Sequence, residues 1–330
     1  MNTLLFTCGD VNGIGPEIVL KTISKIFNPA KRRIIFLFPA NVFEKTAALY
    51  NPSFPFHIIK SKESIQDSSH NVFIYDFNKV KQDIGKPTKH SGKCASEAIE
   101  LSYQLSSALV NSAIITAPIS KTAFELAGIA FPGQTEYYAK LSDSEKYLMV
   151  FLSKKLICAL QTIHEPIEKV SRLLSKEKII QTIEILSQSL IKDLGVKNPS
   201  IGVLGLNPHA GEEGRIGGEE KKIISPAVKE IKNKNIAGPF VPDAYFATKR
   251  FNEFDATLGM YHDQVLIPFK MLCFDKGVNF TAGLTVIRTS PDHGTAYDIS
   301  ELGIADPKSM IEAVYWAEKI IANRKKINGI

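Results

Sequence analysis

The sequence predicts an α/β protein with a largely parallel sheet, and three observations carry that expectation. Short apolar runs rich in β-branched and aromatic residues alternate with longer helix-period segments, the pattern of strands joined by helical crossovers. The chain has 330 residues, enough for two domains or one large one with an ample core. A hydrophobic fraction of 44% beside a charged fraction of 22% is that of a globular, water-soluble chain.

Taken in order, "TLLFT" reads as a first strand, and "GDVNGIGPE" (Gly9–Glu17) turns it into the helix "PEIVLKTISKIF". Pro16 falls in that helix's first turn, where a missing N–H is tolerated. The glycine-rich turn resembles a phosphate cradle, but it lacks G-x-G-x-x-G spacing and a Walker lysine, so a tight strand-to-helix turn explains it equally well. "RIIFLF", "NVFIYDF" and "SAIITAP" follow as strands, with a helix at "CASEAIELSYQLSSALV". The middle differs: "KYLMVFLSKKLICALQTI" reads as two strands joined through "SKK", a hairpin, and "KVSRLLSKEKIIQTIEILSQSLIKDLG" holds two helix patterns. "SIGVLGL" and "DATLGMYH" are further strands, and "LTVIRTS" is one with Arg288 at its end. "MIEAVYWAEKIIANRKK" closes the chain as an amphipathic helix with basic residues in its last turns. No internal repeat, low-complexity tract or long linker interrupts this order.

The net charge is 40 − 34 = +6. The lysines are spread over helix faces, without an arginine-rich run or interleaved aromatics, which argues against nucleic acid; the positive balance favours an anionic small substrate. Cys8, Cys94, Cys158 and Cys273 form no C-x-x-C pair and read as structural thiols of a reducing compartment, so a cytoplasmic protein is expected. No signal-peptide pattern opens the sequence, and no apolar run approaches the ~20 residues of a membrane span.

His57, His70 and His90 lie in polar stretches and read as surface residues. The other histidines each follow a strand: His164 in "QTIHEP", His209 in "LNPHAG", His262 in "MYHDQ" and His293 in "SPDHGTA". Ligands of open α/β sheets gather beyond the carboxyl ends of strands. The long spacings exclude a compact zinc finger but allow an open catalytic metal site built from three separate histidines. A strand-end histidine engaged only in a hydrogen bond is the competing explanation. Lys270 in "IPFK", Asn279 in "GVNFTAG" and Arg288 offer two cations and a neutral amide, a set suited to phosphate or carboxylate. Singly, each is an ordinary surface group.

In combination and in this order, "GDVNGIGPEIVLK", "TAPISK", "FPGQTEYYA", "LNPHAGEEGRIGGEE", "GPFVPDAYF", "DATLGMYHDQ" and "GVNFTAGLTVIRTSPDHGTA" resemble the 4-hydroxythreonine-4-phosphate dehydrogenase family. "LNPHAGE", "YHDQ" and "DHGTA" are its most specific elements. That family is similar in turn to the isocitrate and isopropylmalate dehydrogenases, which implies two α/β/α domains with a cleft between them and no Rossmann fingerprint. The resemblance implies a discontinuous nucleotide-binding domain, 1–130 plus 280–330, and a metal, substrate and dimerisation domain, 131–279. "HGTAYDIS" looks like the nucleotide-binding segment of those enzymes, which makes His293, Gly294, Thr295 and Asp298 the contacts to NAD or NADP. His164, His209 and His262 would hold one divalent metal, two from one subunit and the third from its partner in a homodimer with the active site at the interface. Three imidazoles suit zinc, cobalt or nickel better than magnesium, which the resemblance also allows. Gln134, Thr135, Lys270, Asn279 and Arg288 match the family's substrate contacts. Asp243, Asp263 and Lys270 are candidates for orienting ligands or handling protons, although capping or salt bridging explains the two aspartates equally well.

The activity so implied is NAD-dependent oxidation of 4-phosphohydroxy-L-threonine at its 3-hydroxyl, then decarboxylation to 3-amino-2-oxopropyl phosphate, in pyridoxine 5'-phosphate biosynthesis. A sister dehydrogenase acting on 4-phosphoerythronate or 4-phosphothreonate is the nearer alternative. A non-catalytic metal- or phosphate-binding protein is the other, and the three histidines with Lys270 and Arg288 argue against it. One position departs from the pattern: where the family reads G-H-T-E, this chain has Gln134, which can hydrogen-bond but carries no charge. Arg215 also stands where a less charged residue is expected, and it has no assigned role.

Overall fold

A computed structural model describes residues 1–65, 70–232 and 235–329. In chain order the elements are β1 (Asn2–Thr7), α1 (Gly15–Ile26), β2 (Arg32–Leu37), α2 (Ala40–Tyr50), β3 (His57–Ile59), β4 (Val72–Tyr75), α3 (Lys89–Ala108), β5 (Ser112–Thr116), α4 (Lys121–Leu126) and α5 (Gln134–Leu141). Then come β6 (Leu148–Leu152), β7 (Ile157–Leu160), α6 (Ile167–Leu173), α7 (Lys176–Lys192), β8 (Ile201–Leu204), α8 (Ser225–Glu230), β9 (Ile236–Phe240) and α9 (Pro242–Ala247). Last are β10 (Ala256–Gly259), α10 (His262–Cys273), β11 (Val278–Ala282), β12 (Arg288–Pro291) and α11 (Lys308–Asn328).

Two compact units result: Met1–Glu145 with Leu284–Lys325, and Lys146–Gly283 with Lys326–Ile330. In the first unit the strands lie in the order β3-β4-β2-β1-β5-β12, every pair parallel. Their continuous apolar runs, such as Leu4, Leu5 and Phe6 or Ile34, Ile35 and Phe36, are fully buried, as strands of a parallel sheet covered on both faces must be. Thr88 caps α3 through the Ser91 amide, and Ser91 returns the bond to the Thr88 amide, a reciprocal cap.

In the second unit the order is β11-β6-β7-β10-β8-β9. β11, β6 and β7 pair antiparallel, which includes the expected hairpin, while β7, β10, β8 and β9 are parallel. The core here joins Phe151, Cys158 and Leu160 to Tyr245 and to Val265, Leu266 and Phe269 of α10. Gly202 in β8 makes room for Tyr245, whose hydroxyl stands 2.3 Å from where a Cβ would be. That hydroxyl lies 3.0 Å from Thr257 Oγ1 of β10.

Several expectations shift. The units part later along the chain than the division at 130/131 and 279/280. α5 stays with the first unit because Tyr138 is buried with its hydroxyl 2.6 Å from Ser102 of α3. β11 stays with the second because it pairs with β6. Arg288 begins β12 rather than ending a strand, since the preceding Leu284–Ile287 forms no ladder strand of its own. "DATLGMYH" is a strand only to Gly259; His262 opens α10, a helix hidden from the sequence by an internal Pro268 and an N-cap without a side-chain bond.

Candidate active site

Three neighbouring parallel strands of the second unit, β7, β10 and β8, deliver their following segments to one edge of the sheet. His164 follows β7, His262 follows β10 and His209 follows β8. The rings of His164 and His262 lie with centroids 5.8 Å apart. Nδ1 of His262 sits 2.6 Å from Oδ1 of Asp263. A carboxylate on Nδ1 fixes the tautomer that leaves Nε2 as a lone-pair donor, the arrangement in which metal-binding histidines are held. Among the described residues, no group of three His, Cys, Asp or Glu side chains within this chain is arranged to hold a metal.

Uncharged bonds tie these segments together. Thr162 Oγ1 donates to the Met260 carbonyl (2.7 Å), joining the segment after β7 to that after β10. Gln264 is buried; its Oε1 accepts the Met260 N–H and its Nε2 donates to the Gly205 carbonyl, both at 2.6 Å, joining α10 to the end of β8. His209 begins a left-handed turn: φ is +52° at His209, +50° at Ala210, +77° at Gly211, +42° at Glu212 and +58° at Glu213. For residues with a Cβ, that conformation costs roughly 1–2 kcal/mol each. It persists only where the surroundings over-determine it, and such places cluster at functional sites.

The other predicted residues of this unit are more dispersed. Lys270 is exposed on α10, about two turns beyond His262. Asn279 lies in β11 with its Oδ1 buried and without a hydrogen-bond partner. Asp243 is exposed in the first turn of α9, as a residue favoured by the helix dipole would be. Arg215 is exposed, and nothing in the structure gives it a role.

In the first unit, β1, β5 and β12 are parallel neighbours, so the loops after them share an edge. The Asp10 amide donates to the Pro118 carbonyl (2.8 Å) and the Ile14 amide to the Thr295 carbonyl (2.9 Å). Gly9, at φ +63°, would drive a Cβ to 2.3 Å from the Pro118 oxygen, and a Cβ on Gly13 would stand 2.6 Å from that of Thr295. The glycines of "GDVNGIGPE" are thus explained by loop packing. Asp10 is buried and accepts from the Asn12 amide (2.9 Å), Ser91 Oγ (2.9 Å) and the Tyr297 hydroxyl (2.8 Å). Burial pushes its carboxyl above the ordinary value, and these bonds pull it partly back. His293, Gly294 and Asp298 stay exposed, with open space around Gly294.

Arg288 is 3% exposed. Its Nε and Nη2 donate to Thr116 Oγ1 (3.1 and 2.8 Å), and Nη1 lies 3.4 Å from Thr135 Oγ1. Burial lowers its pKa to about 10, so it remains cationic at neutral pH. Gln134, also buried, donates Nε2 to the Ala117 carbonyl (3.0 Å). Gln134, Thr135 and Arg288 are therefore brought to one place in this unit.

Residues 30–317 match the family model described as pyridoxal phosphate biosynthetic protein PdxA. The chain belongs to the PdxA family. A 4-hydroxythreonine-4-phosphate dehydrogenase of Sulfurihydrogenibium sp. (strain YO3AOP1) is 39% identical over 318 residues, 95% of this chain and 97% of that protein. A putative D-threonate 4-phosphate dehydrogenase of Oceanobacillus iheyensis is 34% identical over 317 residues, 94% of this chain and 95% of that one. The crystal structure of 4-hydroxythreonine-4-phosphate dehydrogenase from Klebsiella pneumoniae superposes with a TM-score of 0.83 at 34% identity, covering 97% of this chain and 100% of that chain. As a PdxA-family member the chain is an oxidoreductase. No helix among its described residues is long and apolar enough to cross a membrane.

Gln264, Thr162 and Asp10, whose hydrogen bonds tie these loops together, escaped the sequence reading. Gln264 had a signal, its place in "YHDQ" beside His262; the others had none beyond their loops.

Proposed function

We propose that this PdxA-family chain oxidises 4-phosphohydroxy-L-threonine at its 3-hydroxyl with NAD or NADP and releases carbon dioxide to give 3-amino-2-oxopropyl phosphate. The observation that carries this reading is the convergence of the His164, His209 and His262 segments on one sheet edge, with His262 backed by Asp263. The donor chemistry fits a divalent metal: imidazoles as ligands, with a carboxylate to set a tautomer. The loop is exposed at His293, Gly294 and Asp298, half-buried at Thr295 and unobstructed at its glycine, which fits a nucleotide cofactor.

When bound, the cofactor accepts the hydride of C3, and the metal supplies Lewis acidity to the oxygen on that carbon. The chain's own residues bind and orient. Arg288, held rigid by Thr116 and Thr135, offers a fixed cation to a substrate anion, and Lys270 offers an exposed one. Asn279 has a buried acceptor in want of a donor. Asp263 holds the proton on His262 Nδ1. Lys270 is assigned to return a proton to C2 after the carboxyl leaves as carbon dioxide, and exposed Asp243 is the alternative proton carrier.

The third metal ligand comes from a second copy in a homodimer. Support lies on α10 and its C-terminal cap: Ile267 and Met271 of the helix that His262 opens, and Phe274 that caps it, are 57%, 82% and 83% exposed at helical spacing. A second substrate reading, the 4-phosphate of threonate, is favoured by one observation, the uncharged and internally bonded Gln134 where the family carries histidine. The test is NADH formation and carbon dioxide release from 4-phosphohydroxythreonine by the metal-loaded protein. Equal amounts of both, lost on chelation and restored by cobalt or zinc, are expected. No NADH from the loaded protein overturns the proposal.

A further inference from the structure

Glu220 lies outside every motif role assigned so far, yet it is 4% exposed and heavily bonded. Its Oε1 accepts the backbone N–H groups of Leu206 and Asn207, both at 2.7 Å, and its Oε2 accepts from Asn207 Nδ2 at 3.0 Å. The same Nδ2 donates to Glu219 Oε2 (2.8 Å), and Glu219 is held in turn by the Ser171 hydroxyl. Three glycines fit this knot. A Cβ would stand 3.2 Å from Glu220 Oε1 at Gly205, 2.6 Å from Glu220 Oε2 at Gly211 and 2.3 Å from Asn207 Nδ2 at Gly217. The bracketed residues lead directly into His209 and its left-handed turn, and the Ala210 amide closes back on the Asn207 carbonyl (3.0 Å).

We infer that Glu220 is a positioning residue for His209: its buried carboxylate anchors Leu206 and Asn207 and so sets where the His209 turn stands. The inference rests on the reading of His209 as a metal ligand. A carboxylate is required because the site presents donors on both oxygens. Glutamine at 220 keeps one acceptor for the two backbone N–H groups but turns an NH2 toward Asn207 Nδ2. Flipping Asn207 to relieve that contact aims its oxygen at the Glu219 carboxylate. Neither arrangement satisfies every group, and a buried network left partly unsatisfied loosens.

The experiment compares metal-stripped, full-length wild type, Glu220→Gln and His209→Ala. Co2+ affinity is read by calorimetry and amide exchange of the 204–217 segment by mass spectrometry. His209→Ala should lose Co2+ binding. Glu220→Gln should weaken it roughly 10- to 100-fold, the usual effect of removing a group that orients a ligand, with faster exchange at Leu206 and Asn207. A purely structural role would lower Tm and leave the affinity of the folded protein unchanged. Wild-type affinity in Glu220→Gln, while His209→Ala has lost binding, overturns the inference and leaves the metal reading standing. Binding equal in all three proteins, or absent from all, overturns that reading and the inference with it. If Glu220→Gln does not fold, Asn207→Ala removes only the side-chain part of the tie; it should weaken Co2+ binding less, and unchanged binding overturns the inference.

Discussion

The two units arrange their polar groups in opposite ways. In the first unit three reactive-looking groups are themselves buried and bonded, although His293 and Asp298 stay exposed: Asp10 among Asn12, Ser91 and Tyr297, Arg288 on Thr116 and Thr135, Gln134 on Ala117. In the second unit the buried groups are supports, Gln264, Glu220 and Thr162, while His209 stays exposed and His262 partly so. Burying the functional group couples function to folding, because its removal leaves partners unsatisfied. Burying only the support separates the two. Substitutions at the histidines should therefore remove activity without harming the fold, whereas substitutions at Arg288 or Asp10 should do both in part.

The largest effect is expected from His209→Ala, which should abolish turnover and bound metal while Tm stays close to wild type. Metal content by mass spectrometry and a thermal melt check it, and full metal content with a normal rate breaks the contrast. Next, mixing His209→Ala with His262→Ala subunits should recover activity if His262 completes the site across the dimer, so that His209 and His262 of one site come from different copies. Random exchange makes half of the dimers mixed, each with one intact site, so roughly a quarter of wild-type activity is expected. No recovery despite demonstrated exchange puts His209 and His262 of one site in the same chain.

Arg288→Lys should raise the substrate KM roughly tenfold or more, because hydrogen bonds from a charged group contribute about 1.5–3 kcal/mol each and an ammonium cannot reproduce the fork. It should also lower Tm, as the compact cation is harder to bury. An unchanged Tm would erase the distinction from His209. Gln134→His should lower KM for 4-phosphohydroxythreonine modestly, more near pH 6 than at pH 8, because only the protonated ring carries charge. KM unchanged at every pH removes position 134 from the substrate.

The smallest effect concerns Asp10→Asn. Burial raises the native carboxyl above 3.8, so the folded state takes up a proton before the unfolded chain does. Native stability from this group is present below the unfolded value and is lost as pH rises through the raised native value. Relative to Asp10→Asn, the wild type should therefore gain Tm as pH falls from neutrality toward 4. Parallel melting curves across that range would contradict burial as the dominant influence on Asp10.

Much of this layout was legible because periodicity and strand ends are local signals. The alternation of apolar runs and helices announced the parallel sheets, the "SKK" hairpin was read correctly, and His164, His209, His262 and His293 each do follow strands. Long-range partners were not legible. Gln264 meets Gly205 across 59 residues, and nothing local says that Glu220 faces Leu206 rather than water. Arg288 was legible as an anion-binding candidate but its burial was not, because burial of a charge depends on hydroxyls such as Thr116, 172 residues away. Helix α10 was concealed by Pro268, which sequence rules treat as a breaker.

The substrate claim is tested most directly by one ratio, kcat/KM for 4-phosphohydroxythreonine over that for D-threonate 4-phosphate, measured with NAD and the same cobalt-loaded protein. The two substrates differ in an amine against a hydroxyl, a difference that a site hydrogen-bonded to the amine resolves strongly. The expected result is a ratio well above one, with carbon dioxide released in step with NADH. A ratio below one would contradict the assignment and give the chain to the threonate substrate.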